Sequence, residues 1–304
     1  MPSNIFSFKI FILSSLVLCG CIAQSYPYLK TETAQRIATP AWMIKRNVVA
    51  PPFNLRAYER MHERGGVANL YIEGDTLSIK GTTPSNPIGL HLASKDKASN
   101  VVYLARPCQY TSSISNKCDS KHVTTEQFSE EVIESYNTAL NDIARRYDIT
   151  SFNLIGHSGG GAIASLLAAK RHDILSVRTI AGVIDHTAYS AINGADYSGS
   201  INPASEASAL SKIPQYHFIG GQDTIIPPAV LHSYLQSMPP THCVQSMLIQ
   251  ENGHTSGWVN RWPELLKLPV NCFARPSGNA DRIMEPATMP HKLPNSTHIN
   301  PAKP

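Results

Sequence analysis

Short apolar runs recur along the chain in two rhythms. Phe53–Arg60 alternates with period two, and Val67–Ile72, Asn100–Arg106, Ser151–Gly156, Val177–Ile184, Gln215–Gly220 and Val244–Gln250 are further runs of strand length. Val101-Val102-Tyr103-Leu104 and Phe152-Asn153-Leu154-Ile155 are continuous enough to be buried on both faces. Between the later runs the spacing changes to three and four. Phe128, Val132, Ile133, Tyr136, Leu140 and Ile143 mark a helix over Thr125–Arg146, with Thr124 or Thr125 available as its cap. Ala162–Lys170, Pro228–Met238 and Trp258–Lys267 read as further helices, the second with proline in its first turn. Strands alternating with helices predict an α/β domain, a mostly parallel central sheet with helices on both faces.

The two ends break this pattern. Lys9 precedes the apolar run Ile10–Leu18, too short to span a bilayer core of about 30 Å and suited to a secretory leader. Leu18-Cys19-Gly20-Cys21 resembles the lipobox of bacterial lipoproteins. That resemblance implies a signal peptide over residues 1–20, acylation at Cys21 and a lipid-anchored place in the bacterial envelope, facing the periplasm or the exterior. Several acyl chains hold a protein stably where one holds it marginally. Residues 21–50 are polar and irregular and read as a tether and lead-in; residues 51–274 form the predicted folded domain. Residues 275–304 carry six prolines and no apolar period, the pattern of a disordered tail. Asp185–Lys212 is a long connection rich in Ser, Ala, Asn and Gly, either lining a cavity or forming a surface loop.

Composition narrows the classes. With 304 residues, 42% hydrophobic and 16% charged, the chain is neither wholly disordered, nor a collagen, nor a coiled coil. A formal charge of +4 with scattered basic residues excludes the dense stripe that a nucleic-acid partner would need. Beyond the leader four cysteines remain, Cys108, Cys118, Cys243 and Cys272. An exported chain meets an oxidising compartment, so disulfides are expected. Three pairings are possible, and the two local ones, Cys108–Cys118 and Cys243–Cys272, are favoured. Loop closure would make each worth on the order of 3 kcal/mol. No C-x-x-C or H-x-x-x-H spacing accompanies them, so no metal is expected.

Gly156-His157-Ser158-Gly159-Gly160 follows one buried strand and opens a helix of small residues. A serine aimed at substrate from such a position stands on a very tight turn, and side chains two residues to either side would collide, hence the glycines. The same turn puts the Gly159 N–H at a helix N-terminus, where it can receive an oxyanion. A serine hydroxyl needs a base, and the base needs an acid to fix its tautomer. Asp223 stands in Gly220-Gly221-Gln222-Asp223-Thr224-Ile225-Ile226-Pro227 after one strand, and His254 in Asn252-Gly253-His254 after the next. Asp185, one strand earlier, is the competing acid.

In order and setting these motifs resemble the α/β-hydrolase superfamily over roughly Phe53 to Phe273. The resemblance implies a nucleophile at Ser158, an acid at Asp223, a base at His254, and no metal or organic cofactor. It also implies a second oxyanion donor after the strand Val67–Ile72. Glu73 stands where the family often has histidine, and the expected donor is the backbone N–H of Asp75, its carboxylate pointing away or hydrogen-bonded. Two functions follow: a serine hydrolase cleaving an ester, thioester or related acyl bond of a small-molecule or acyl substrate, or an envelope binding or scaffold lipoprotein that keeps the fold without turnover.

Overall fold

The computed structural model describes residues 29–75, 83–110 and 118–273. The predicted leader, Cys21 and the tail 275–304 lie outside them. In chain order the elements are α1 (29–38), β1 (Ile44–Ala50), β2 (Phe53–Met61), β3 (Val67–Ile72), α2 (Ile88–Lys95), β4 (Asn100–Leu104), α3 (Glu130–Tyr147) and β5 (Ser151–His157). There follow α4 (Gly159–Lys170), β6 (Ile174–Ile180), α5 (His186–Asn193), α6 (Ala207–Leu210), β7 (Gln215–Gly220), α7 (Pro228–Gln236), β8 (Val244–Ile249) and α8 (Trp258–Leu265).

The eight strands form one sheet in the order β1-β2-β4-β3-β5-β6-β7-β8. Only β2 runs against its neighbours; β4, β3, β5, β6, β7 and β8 pair in parallel. Alternation along the strands fills two cores. Leu55, Leu70, Val102, Leu104, Phe152 and Leu154 face one layer with α3, α4 and α7. Tyr58, Tyr71, Val101, Tyr103, Ile155 and Phe218 face the other, with α2 and the two buried tryptophans of α8. Strands covered on both faces read as continuous apolar runs, which is why the central ones were legible. The switch of order around β3 and β5 gathers their carboxyl ends at one edge of the sheet, the place where open parallel sheets take ligands.

Three expectations need correction. Residues 29–50, read as an irregular lead-in, hold α1 and β1. As an edge strand, β1 buries little more than Val48 and Ala50. Ionic contacts replace the missing apolar face: Arg46 donates to both oxygens of Glu59, at 2.6 and 2.8 Å, and to Asp142 at 2.6 Å. The helix expected from Thr125 starts at Glu130, where Ser129 Oγ caps the Val132 N–H. Thr125–Phe128 is tied sideways instead, with Gly199 and Ile201 N–H donating to the carbonyls of Thr125 and Phe128. The strand expected over Val177–Ile184 ends at Ile180, because Ala181 turns into the left-handed region at φ 49°. The favoured disulfide pairs are present, Cys108–Cys118 and Cys243–Cys272.

Asp185 shows what the long connection is for. Its carboxylate caps α5 through the N–H groups of Thr187 and Ala188, and accepts from Asn202 and from Ser233 on α7 at 2.9 and 2.6 Å. Burial works against its charge, but the donors from Ser233, Asn202, Ala188 and Thr187 outweigh it and hold the carboxyl below its ordinary 3.8. Asp185→Ala is therefore expected to cost about 2–3 kcal/mol at neutral pH, from a lost cap and unpaired donors. A folded-state pKa below the unfolded one gives stability that is present above 3.8 and lost as pH falls further. Urea unfolding at pH 7 and pH 3 checks the sign: the gap between parent and variant narrows in acid.

Candidate active site

Ser158 sits between β5 and α4 at φ 53°, ψ −124°, a backbone conformation that costs energy in any residue but glycine. Its surroundings enforce the turn. A Cβ on Gly156 would run into the carbonyl of Gly160, and one on Gly160 into the carbonyls of Ile72 and Glu73 at the end of β3. The Ser158 backbone is held from three sides: its N–H donates to Ile180, and its carbonyl accepts from Gly161 and Val183.

The loops after β7 and β8 bring two further side chains to this serine. His254 Nε2 lies 3.1 Å from Ser158 Oγ, and His254 Nδ1 lies 3.0 Å from Asp223 Oδ2. The other oxygen of Asp223 accepts from the N–H groups of Ile225 and Ile226, both at 2.8 Å. Asp223 is enclosed, which disfavours its charge, but the hydrogen bond and charge of His254 and the amides of Ile226 and Ile225 win and hold it below the usual carboxylate range. An ionised Asp223 fixes the His254 tautomer with Nδ1 protonated, leaving Nε2 as the acceptor facing Ser158 Oγ. Asp185, the competing acid, is wholly engaged as a cap and does not take part.

The oxyanion side is built from β3. Glu73 is buried and turns back on the backbone: Oε1 accepts from Gly74 and Gly89 N–H at 2.9 and 3.1 Å, Oε2 from Leu90 N–H at 3.4 Å. Burial pushes its carboxyl up, with these amides and Tyr103 opposing. The Gly74 N–H is thus consumed. Among the described residues no hydrogen bond uses the N–H of Asp75 or of Gly159. The Asp75 carboxylate is paired with Arg106, a partner from beyond β4 that no motif announced. Gln109, from the same loop, donates to the Gly74 carbonyl at 3.0 Å.

His157 lies directly behind the base. Its ring centroid is 5.2 Å from that of His254, and its Nε2 donates to the His254 carbonyl at 2.9 Å, the same oxygen that accepts from the Trp258 indole at 3.1 Å. Burial and the neighbouring His254 push the His157 imidazole down to about 4, so it is neutral at neutral pH. It holds the loop that carries the base. A cavity of about 760 Å³ opens over Ser158 and His254, its lining mixing apolar Val183, Ile225 and Ile226 with polar Thr125, Gln127 and Asp196. No cluster of metal-ligating side chains occurs among the described residues.

No family model and no curated protein matches the chain. Solved structures do. A serine hydrolase homologue from Coxiella burnetii superposes with a TM-score of 0.52 at 15% identity, covering 73% of this chain and 93% of that one. An esterase from Pyrococcus furiosus gives 0.54 at 15%, over 74% and 91%. Est1E from Butyrivibrio proteoclasticus, bound to ferulic acid, gives 0.54 at 13%, over 73% and 96%. The fold is that of the α/β-hydrolases. At these identities the likeness is one of fold, and an α/β-hydrolase fold hosts many activities, so function has to be argued from the site.

Proposed function

We propose that this protein is a serine hydrolase that cleaves an ester, thioester or related acyl bond through an acyl-enzyme. The observation that carries the reading is the continuous hydrogen-bonded line Asp223–His254–Ser158, 3.0 and 3.1 Å, ending in a cavity. As Ser158 Oγ bonds to the substrate carbonyl carbon, His254 Nε2 takes its proton and the carbonyl π pair moves onto oxygen. The N–H groups of Gly159 and Asp75 receive that charge; one such donor is typically worth about a hundred- to a thousand-fold in turnover. Collapse restores the carbonyl and breaks the bond to the leaving group, which takes the proton from His254. Water then repeats the sequence on the acyl-enzyme, releasing the acid and restoring Ser158. Asp223 stabilises the imidazolium formed in each half.

The envelope placement belongs to the same proposal. The 1–20 leader pattern, the Cys21 lipobox and the two disulfides all suit an exported, lipid-anchored protein. A fluorophosphonate probe tests the chemistry: covalent labelling of the folded protein at Ser158 is expected. A folded protein that takes up no label would favour the alternative, a non-catalytic binding or scaffold protein that keeps the fold.

A further inference from the structure

One charged group at the site has no part in the hydrolytic steps. Asp75 lines the cavity together with Ser158, its side chain 15% exposed, while its partner Arg106 is 5% exposed. Arg106 is fully committed on both terminal nitrogens: Nη1 to Asp75 Oδ1, Nη2 to the Gln127 carbonyl at 2.8 Å, with the guanidinium 5.2 Å from the Phe128 ring centre. That buried pairing occupies one oxygen of the Asp75 carboxylate. The second, Oδ2, accepts no hydrogen bond from any described residue. It is also the atom that a methyl group on Gly159 would strike first. Among the described residues, an acceptor with spare capacity therefore stands against the very residue whose N–H would receive the substrate's carbonyl oxygen.

Such an oxygen is awkward for a plain acyl group. A carboxylate beside a developing oxyanion disfavours it, and desolvating an acceptor without supplying a donor loses its bond to water. A substrate that brings an N–H or O–H to Oδ2 replaces the bond lost to water and draws charge off the oxygen nearest the oxyanion. Resting on the hydrolase reading above, we propose that Asp75 is a specificity-determining residue, and that the site takes acyl groups bearing an amine or hydroxyl on the carbon next to the scissile carbonyl. Esters of amino acids and of 2-hydroxy acids are the substrate class. Because Arg106 neutralises the pair, the gain comes from a short hydrogen bond to Oδ2 more than from a long-range field, so amine and hydroxyl both serve. An acyl group with a carboxylate on that carbon brings a second acceptor against Oδ2 with no proton to share, and is turned away.

Four ethyl esters of matched size test this: alanine, lactate, propanoate and hydrogen malonate. Each kcat/KM is measured by proton release and divided by the rate constant of the same ester with hydroxide, which removes intrinsic reactivity. A hydrogen bond to a charged group corresponds to roughly tenfold or more. The expected order is alanine and lactate at least tenfold above propanoate, with hydrogen malonate lowest. In Asp75→Asn the alanine-to-propanoate ratio is expected to shrink at least fivefold. Wild-type ratios within threefold of one another, in protein whose Ser158 still takes a fluorophosphonate label, would overturn the role of Asp75 and leave the hydrolase reading standing. An unchanged ratio in folded Asp75→Asn overturns it equally. Absence of both label and turnover overturns the hydrolase reading and this inference with it. The wild-type order stands as a readout even where the variant does not fold.

Discussion

Ser158→Ala is expected to lower kcat for a short nitrophenyl ester by on the order of a million-fold while shifting Tm by no more than about 2 °C. The first part follows from how a triad works: its members act as one unit, and losing the nucleophile leaves only binding and oxyanion stabilisation. The second part follows from what the serine does for the fold. Among the described residues its hydroxyl has one hydrogen-bond partner, His254 Nε2 at 3.1 Å, and that partner is part of the same line. The bonds that hold the turn belong to the backbone, the Ser158 N–H to Ile180 and its carbonyl to Gly161 and Val183, and alanine keeps all three. Alanine also has the same Cβ and so inherits the same backbone strain at φ 53°. Steady-state assays and a thermal melt on the same preparation measure both halves. Turnover retained above a hundredth of the parent rate would remove Ser158 from the chemistry; a fall of many degrees would mean that the hydroxyl also stabilises the turn.

The contrast between local packing and reactive chemistry also explains what could be read in advance. Buried strands such as Asn100–Leu104 and Ser151–His157 announce themselves because both faces must be apolar. The elbow does so because steric demands force glycine at 156 and 160. Asp223 and His254 could be placed because each follows a strand at the same sheet edge. The edge strand β1 was invisible for the opposite reason. It buries two residues of its seven firmly, and its ladder with β2 is reinforced by Arg46, Glu59 and Asp142, which lie far apart in sequence. Helix α2 was missed too, and there the cue was displaced: its N-terminus has no side-chain cap of its own and is served by Glu73, fifteen residues before Ile88. Glu73 looked like a departure at the oxyanion loop. It is the residue that ties that loop to α2. Arg106 belongs to a third kind, a single long side chain from a loop whose partner is identified only by three-dimensional proximity.

Gly160→Ala is expected to be among the most damaging single methyl groups that can be added to this protein, and the reason isolates sterics from conformation. Gly160 lies in the first turn of α4, away from the positive-φ glycines. There alanine would ordinarily stabilise a helix by about 1 kcal/mol over glycine. The added carbon, however, would fall against the Ile72 and Glu73 carbonyls, and these are backbone atoms fixed by the pairing of β3 with β4 and β5. They cannot rotate aside as a long side chain could. Either α4 lifts off the sheet, carrying Ser158 with it, or the end of β3 shifts and takes Gly74 and Asp75 out of place. Overpacking against backbone of this kind is expected to cost about 3–5 kcal/mol, or roughly 6–10 °C in Tm for a domain of this size, with a steep loss of esterase activity. Gly194→Ala supplies the comparison. Gly194 has φ +73° with nothing within 4 Å of the new carbon, so only the left-handed backbone is penalised, at about 1 kcal/mol. Its activity is expected to stay at the parent level. If both variants lose the same few degrees, the carbonyls of Ile72 and Glu73 do yield, and the close approach of β3 to the elbow is not what holds the nucleophile in place.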